Sequence, residues 1–217
     1  MKSTIIKLAG SADYFTQESY KALRTNVQFC GQDIRVIAIT SCYESEGKTV
    51  VSLNLAKSLA ELGKKVLYID ADMRRSVVAA RHTGTKNPSG LSELLTGLEE
   101  LADCVYETQL PNLHVIFSGK YPPNPVELLD GRYFSKLLEY ARTKYDYVIV
   151  DTPPLGRVID SAVISPICDG VILVMANSAI RYPVAQEVVS QLKKSGAKIL
   201  GVVRNNFNRN QKIRSQK

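Results

Sequence analysis

The chain has 217 residues, 45% hydrophobic and 23% charged, with a formal net charge of +7. This is an ordinary globular balance with apolar material for one large α/β core. No run approaches the roughly 18 apolar residues of a membrane span, and the N-terminal MKSTIIKLAG lacks the apolar core and cleavage site of a signal peptide.

The four cysteines, Cys30, Cys42, Cys104 and Cys168, show no CxxC spacing, as expected of free thiols in a reducing cytosol. Much of the basic surplus lies in the terminal RNQKIRSQK, and no basic stripe interleaves with aromatics. Nucleic acid is therefore not the expected partner. A surface facing anionic lipid or an acidic partner segment fits the charge as well.

In chain order, Gln17–Phe29 reads as a helix within an N-terminal helical arm of about residues 1–33. Arg35–Thr40 (RVIAIT) reads as a buried strand. Lys48–Leu62 has Val51, Leu55, Leu59 and Leu62 at helical spacing, with Gly63 as the stop. Further strands are expected at Lys65–Asp70, Leu113–Ser118, Tyr147–Asp151, Gly170–Met175 and Lys198–Val203. Gly131–Lys144 and Pro183–Ser195 are the clearest later helices. Strands that are continuously apolar suit a mostly parallel sheet covered by helices on both faces. No repeat or linker divides the chain, so residues 1–217 are expected to form one domain, with a mobile basic tail at about 207–217.

Three features carry chemistry. A strand, a tight loop and then Gly47-Lys48-Thr49 opening a helix form the setting of a phosphate-binding P-loop. Backbone N–H groups at the helix N-terminus and the helix dipole favour phosphate there. Gly47 lets the backbone approach, Lys48 reaches the β and γ phosphates, and Thr49 ligates Mg²⁺. The site read from sequence takes in Glu46 and Val50 beside them. Cys42 stands where the strict motif has its first glycine. Next, VLYIDADMRR puts Asp70 and Asp72 at the C-terminal end of a strand, where ligands collect in parallel sheets. Carboxylates there can hold Mg²⁺, and one can take a proton from an attacking hydroxyl. Last, YDYVIVDTPP ends an apolar strand in Asp151, a Walker B pattern able to hold Mg²⁺ through water, with Pro153 and Pro154 stiffening the loop.

In combination these segments resemble the bacterial tyrosine kinases (BY-kinases) of capsule and exopolysaccharide synthesis, P-loop NTPases of the deviant Walker A superfamily. The resemblance runs through Glu18–Asn26, Glu46–Thr49, Asp70–Arg74, Gly90–Leu95, Ser118–Leu129, Asp146–Pro154 and Gly201–Asn205. It implies an ATP- and Mg²⁺-dependent protein-tyrosine kinase in which Asp70, Asp72 and Asp151 serve metal and tyrosine activation and Asn205 lies near the adenine. It also implies a tyrosine-containing protein substrate, a homo-oligomeric ring, and a transmembrane adaptor of the polysaccharide co-polymerase type. The expected place is the cytoplasm, at the inner face of the membrane.

The chain also departs from that family. Glu44-Ser45 replace the family's Pro-Gly, giving a less free backbone and a negative charge near the phosphates. The oligomerisation motif E-x-x-R-x-x-R becomes Glu18, Lys21, Arg24, with a point charge in place of a planar fork. No tyrosine follows Tyr182, where these kinases carry a tyrosine cluster. Either another protein is the substrate, kinase activity is lost, or the chain is shortened.

Two alternatives compete. A partitioning or cell-division ATPase needs a second lysine early in the loop, where this chain has Tyr43. An ATP-bound scaffold or ATPase that regulates polysaccharide assembly would lack phosphotyrosine formation.

Overall fold

The computed structural model describes residues 2–8, 13–82, 88–176 and 182–206. In chain order the strands are β1 (Lys2–Ile6), β2 (Val36–Ser41), β3 (Val66–Asp70), β4 (Val105–Thr108), β5 (Leu113–Ile116), β6 (Tyr147–Asp151), β7 (Gly170–Ala176) and β8 (Ile199–Asn205). The helices are α1 (Tyr14–Phe29), α2 (Lys48–Glu61), α3 (Val78–His82), α4 (Leu91–Thr96), α5 (Leu101–Cys104), α6 (Pro125–Leu129), α7 (Arg132–Lys144), α8 (Asp160–Ile164) and α9 (Tyr182–Lys194).

The strands form a single sheet in the order β1-β4-β5-β3-β6-β2-β7-β8. Every described pairing is parallel except β4 with β5. Central strands are mostly apolar until their C-terminal ends because both faces are covered. Val36, Ala38, Leu67, Ile69, Val148 and Val150 face a cluster built on α7 and α9, which supply Phe134, Leu138 and Leu192. Ile37, Ile39, Val66, Tyr68 and Ile149 point the other way, against Val51, Leu55 and Leu59 of α2. The two-residue strand period and the helical spacing of α2 thus meet in one core layer. Gly63, just past α2, adopts φ +83°, the left-handed stop that the spacing predicts.

All the expected strands and long helices are present, with ends shifted by at most three residues. Two strands were not expected. The stretch read as a helical arm contains α1, but β1 precedes it and pairs with β4 at the sheet edge. Its sequence KSTII mixes polar and apolar residues, so it lacks the apolar run that marks the inner strands. β4 is only four residues long with one exposed position, and it runs antiparallel to β5. The tail beyond residue 206, expected to be mobile, lies outside the described residues.

Candidate active site

The strand order decides which side chains meet. β2, β6 and β3 are neighbours at the centre of the sheet. The loop after β2 carries residues 42–47, β3 ends in Asp70, and β6 ends in Asp151. In the β3–β6 register Asp70 pairs with Asp151, and in the β2–β6 register Ile39 pairs with Asp151. Two carboxylates therefore sit side by side at one sheet edge, beneath the N-terminus of α2.

Gly47 caps α2 at φ +85°, and a Cβ there would lie 2.0 Å from Asn205 Nδ2. Both the backbone conformation and the space require glycine. The Asn205 amide donates to the Glu46 carbonyl at 2.9 Å. Glu46 is buried; its carboxylate accepts from the backbone N–H of Tyr43 at 2.7 Å and from that of Ala176 at 3.4 Å. The Glu46 side chain is thus a clamp that closes the loop and fastens it to β7. Ser45 adopts φ +62°, a left-handed conformation that costs a non-glycine residue about 1–2 kcal/mol. This is the position where the family has glycine.

Lys48 Nζ is buried, 2.9 Å from Asp72 Oδ2, 3.9 Å from Asp151 Oδ1 and 3.4 Å from Thr49 Oγ1. Burial alone would lower its pKa, but the charges of Asp151 and Asp72 outweigh that and raise it. Asp151 is fully buried. Its Oδ2 accepts from the Tyr68 hydroxyl at 3.0 Å, while its Oδ1 has no hydrogen-bond partner. Burial pushes its carboxyl up, and Lys48 opposes the shift. Asp70 is also fully buried. It accepts from Ser76 Oγ and, at 3.3 Å, from the backbone N–H of Asp72. Burial and then the neighbouring Asp151 charge raise its pKa to about 8. Asp72 Oδ1 accepts from the Arg75 backbone N–H at 3.1 Å, which turns the loop after β3. Of the three aspartates, Asp72 is the one that lines an open cavity of about 530 Å³, together with Lys48, Thr49 and Val50.

The loop after β6 is braced from below. Thr40 and Ser161 hydroxyls donate to the Pro153 carbonyl at 2.9 and 2.5 Å, and Thr152 Oγ1 donates to the Ile39 carbonyl at 2.9 Å. Arg74 Nε donates to buried Asp160 at 3.0 Å, tying the loop after β3 to α8. Cys42 is fully buried and its thiol is pushed up to about 11 by burial, the state of a small packing residue.

The structure therefore brings Lys48, Thr49, Asp70, Asp72 and Asp151 together, with Glu46, Gly47 and Asn205 building the loop around them. It also qualifies one expectation. The Glu44 carboxylate is engaged by Arg75 Nη1 at 2.8 Å and Arg157 Nη1 at 3.5 Å, so its charge is compensated. Among the described residues, no three acidic, His or Cys side chains converge as a ready-made metal cage. Glu18 and Lys21 pair with each other along α1 at 2.7 Å. Arg24 Nη1 donates to the Ser58 carbonyl at 2.8 Å, docking α1 on α2. These contacts lie within the subunit. Sequence reasoning missed Tyr68 and Ser76. A lone tyrosine inside a fully buried strand was the available signal, since its hydroxyl must find a partner.

Residues 34–207 match the family described as an AAA domain. The tyrosine-protein kinase CpsD of Streptococcus agalactiae is 44% identical over 193 residues, which cover 89% of this chain and 84% of the relative. The chain belongs to the bacterial tyrosine kinases. The kinase domain of the Escherichia coli tyrosine kinase ETK superposes with a TM-score of 0.82 at 34% identity, covering 88% of this chain and 77% of the other. The septum site-determining protein MinD of Pyrococcus horikoshii, solved with Mg-ADP, superposes with a TM-score of 0.68 at 29% identity, covering 81% and 71%. A bacterial tyrosine kinase and a cell-division ATPase thus share this sheet, and Tyr43 stands where the ATPase pattern has its second lysine.

Proposed function

We propose that this bacterial tyrosine kinase transfers the terminal phosphoryl group of ATP to a tyrosine hydroxyl of a separate protein, in control of capsular or exopolysaccharide synthesis. The supporting observation is the position of Lys48. It lies between Asp72 and Asp151 at the floor of a cavity open to solvent, at the N-terminus of a 14-residue helix. The free N–H groups of that helix end and the Lys48 ammonium suit a polyphosphate.

The residues also fit Mg²⁺. Asp151 Oδ1, faced by Lys48 at 3.9 Å, is a buried carboxylate oxygen without a hydrogen-bond partner, which a cation or its bound water would satisfy. Thr49 and Asp151 would hold it, with Asp70 behind them. When bound, the ion supplies charge neutralisation for the phosphates.

The chain's own groups then divide the work. Lys48 leaves the carboxylates for the β and γ phosphates. Asp72 loses its ion-pair partner and faces the cavity as the base that takes the tyrosine proton. Asp70, its carboxyl raised to about 8 by burial and then by the Asp151 charge, is mostly protonated near neutral pH in the nucleotide-free enzyme, so it is not free to take the tyrosine proton until positive charge arrives. Asn205 stays with the loop and borders the nucleotide.

A transmembrane adaptor of the polysaccharide co-polymerase type would hold the kinase at the cytoplasmic face of the membrane, and α1 would carry ring assembly through Glu18, Lys21 and Arg24. No helix among the described residues is long and apolar enough to cross a membrane.

Incubation with γ-labelled ATP, Mg²⁺ and candidate proteins, with and without the adaptor's cytoplasmic segment, tests this. Phosphotyrosine is expected, and its loss in Lys48→Met should accompany a fall of about tenfold or more in MgADP affinity. Nucleotide binding without phosphotyrosine on any substrate would leave an ATP-bound scaffold.

A further inference from the structure

At the mouth of the nucleotide cavity three loops meet. Glu44 comes from the phosphate loop, Arg75 from the loop after β3, and Arg157 from the loop after β6. The Glu44 carboxylate bridges the two guanidiniums, at 2.8 Å from Arg75 Nη1 and 3.5 Å from Arg157 Nη1. Both arginine side chains are largely open to solvent, 67% and 58% exposed. Five basic and two acidic residues line this cavity, so it stays electropositive while Glu44 is bound. Arg74 is the exception among its arginines, because Asp160 already fixes it.

An exposed ion pair is worth only about 0–1 kcal/mol, so Glu44 is held loosely. The geometry nevertheless shows that one carboxylate can engage both arginines at once. Guanidinium groups favour such planar acidic partners, and lysine would not substitute. The phosphate-binding floor is Lys48 and the α2 N-terminus, deeper in the same cavity. With phosphates on that floor, Arg75 and Arg157 at the rim are left facing whatever segment brings the acceptor.

We infer that Arg75 and Arg157 recognise an acidic side chain beside the acceptor tyrosine, and that Glu44 is a tethered competitor that occupies them until the acceptor arrives. The inference rests on the kinase reading for the word acceptor, but the recognition itself is measurable without catalysis. It gives the replacement of the family's proline by Glu44 a role in substrate choice.

The test uses the full chain saturated with MgADP and labelled peptides in which phenylalanine replaces the tyrosine, flanked by glutamate or by glutamine. Fluorescence anisotropy should show the glutamate peptide binding about two- to fivefold tighter, the size of an exposed carboxylate–guanidinium pair. The double variant Arg75→Gln, Arg157→Gln should bind both peptides alike and keep wild-type MgADP affinity. Glu44→Gln should tighten the glutamate peptide by about twofold, the size of an exposed pair removed. Equal binding of the two peptides to wild type overturns the inference. So does a parallel loss of MgADP affinity in the double variant, which would assign the arginines to the nucleotide. Tyrosine versions of the same peptides with MgATP separate the two ideas. Selective binding without phosphotyrosine supports the recognition and undoes the kinase reading. Phosphotyrosine formed equally on both peptides undoes the recognition alone.

Discussion

The Tyr68 hydroxyl donates to Asp151 Oδ2 at 3.0 Å, from one central strand to the next. It fixes a carboxylate whose other oxygen has no hydrogen-bond partner. Tyr68→Phe keeps the packing and removes the bond, so Asp151 has one more buried oxygen unpaired. A stability loss of about 1–2 kcal/mol in urea denaturation is expected, with weaker Mg²⁺-dependent nucleotide binding. An unchanged urea midpoint together with unchanged MgADP affinity would reduce Tyr68 to a packing residue.

Ser45 at φ +62° strains the phosphate loop. Ser45→Gly removes that strain, although glycine also raises the entropy of the unfolded chain. The net gain expected is about 0.5–1 kcal/mol, while Ser45→Val should lose stability. Thermal unfolding of the three proteins gives the order Gly, Ser, Val from most to least stable. Any other order argues against a strained loop.

Asp70 predicts a pH dependence. Its carboxyl, ordinarily near 3.8, is raised to about 8 in the fold by burial first and the Asp151 charge second. Between those values the folded chain holds a proton that the unfolded chain has released. The contribution to stability is therefore complete below about 3.8 and is lost as pH rises through about 8. In nucleotide-free protein, the stability of Asp70→Asn relative to wild type should rise steadily across that window and level off above it. A difference that is flat with pH would mean that Asp70 is ionised in the fold.

Arg74→Ala should destabilise the chain by about 2–3 kcal/mol, because it strands a buried carboxylate. Asp160 Oδ2 already lacks a partner, and Oδ1 depends on Arg74 Nε at 3.0 Å. Arg74→Lys restores the charge but not the planar donor, so it should recover part of the loss. Denaturant midpoints equal to wild type for the alanine variant would count against the tie between these loops.

Much of the site is legible in the sequence because each part ends an apolar strand. VLYID and YVIVD announce Asp70 and Asp151, and Gly47-Lys48-Thr49 announces the helix that faces them. Their neighbourhood follows from the parallel-sheet rule. Pairings between distant side chains are not legible in the same way. Nothing local in the sequence indicates that Tyr68 reaches Asp151, that Arg74 reaches Asp160, or that Glu44 is neutralised by Arg75 and Arg157. The role of Glu46 was partly visible: the motif placed it in the loop, but only the fold turns its carboxylate inward to the backbone of Tyr43 and Ala176. The edge strand β1 escaped because a short, polar-rich segment has no periodic signature.

The amide of Asn205 reaches back 159 residues to the carbonyl of Glu46, and the Glu46 side chain reaches forward 130 residues to Ala176. During synthesis, the phosphate loop emerges long before either partner. Its last restraint arrives only when β8 has joined the edge of the sheet, and such distant contacts form late. A half-made chain therefore carries the lysine and the glycine of the loop without the frame that holds them. Competence to bind a nucleotide becomes a property of the finished sheet, so that the loop itself reports that folding is complete.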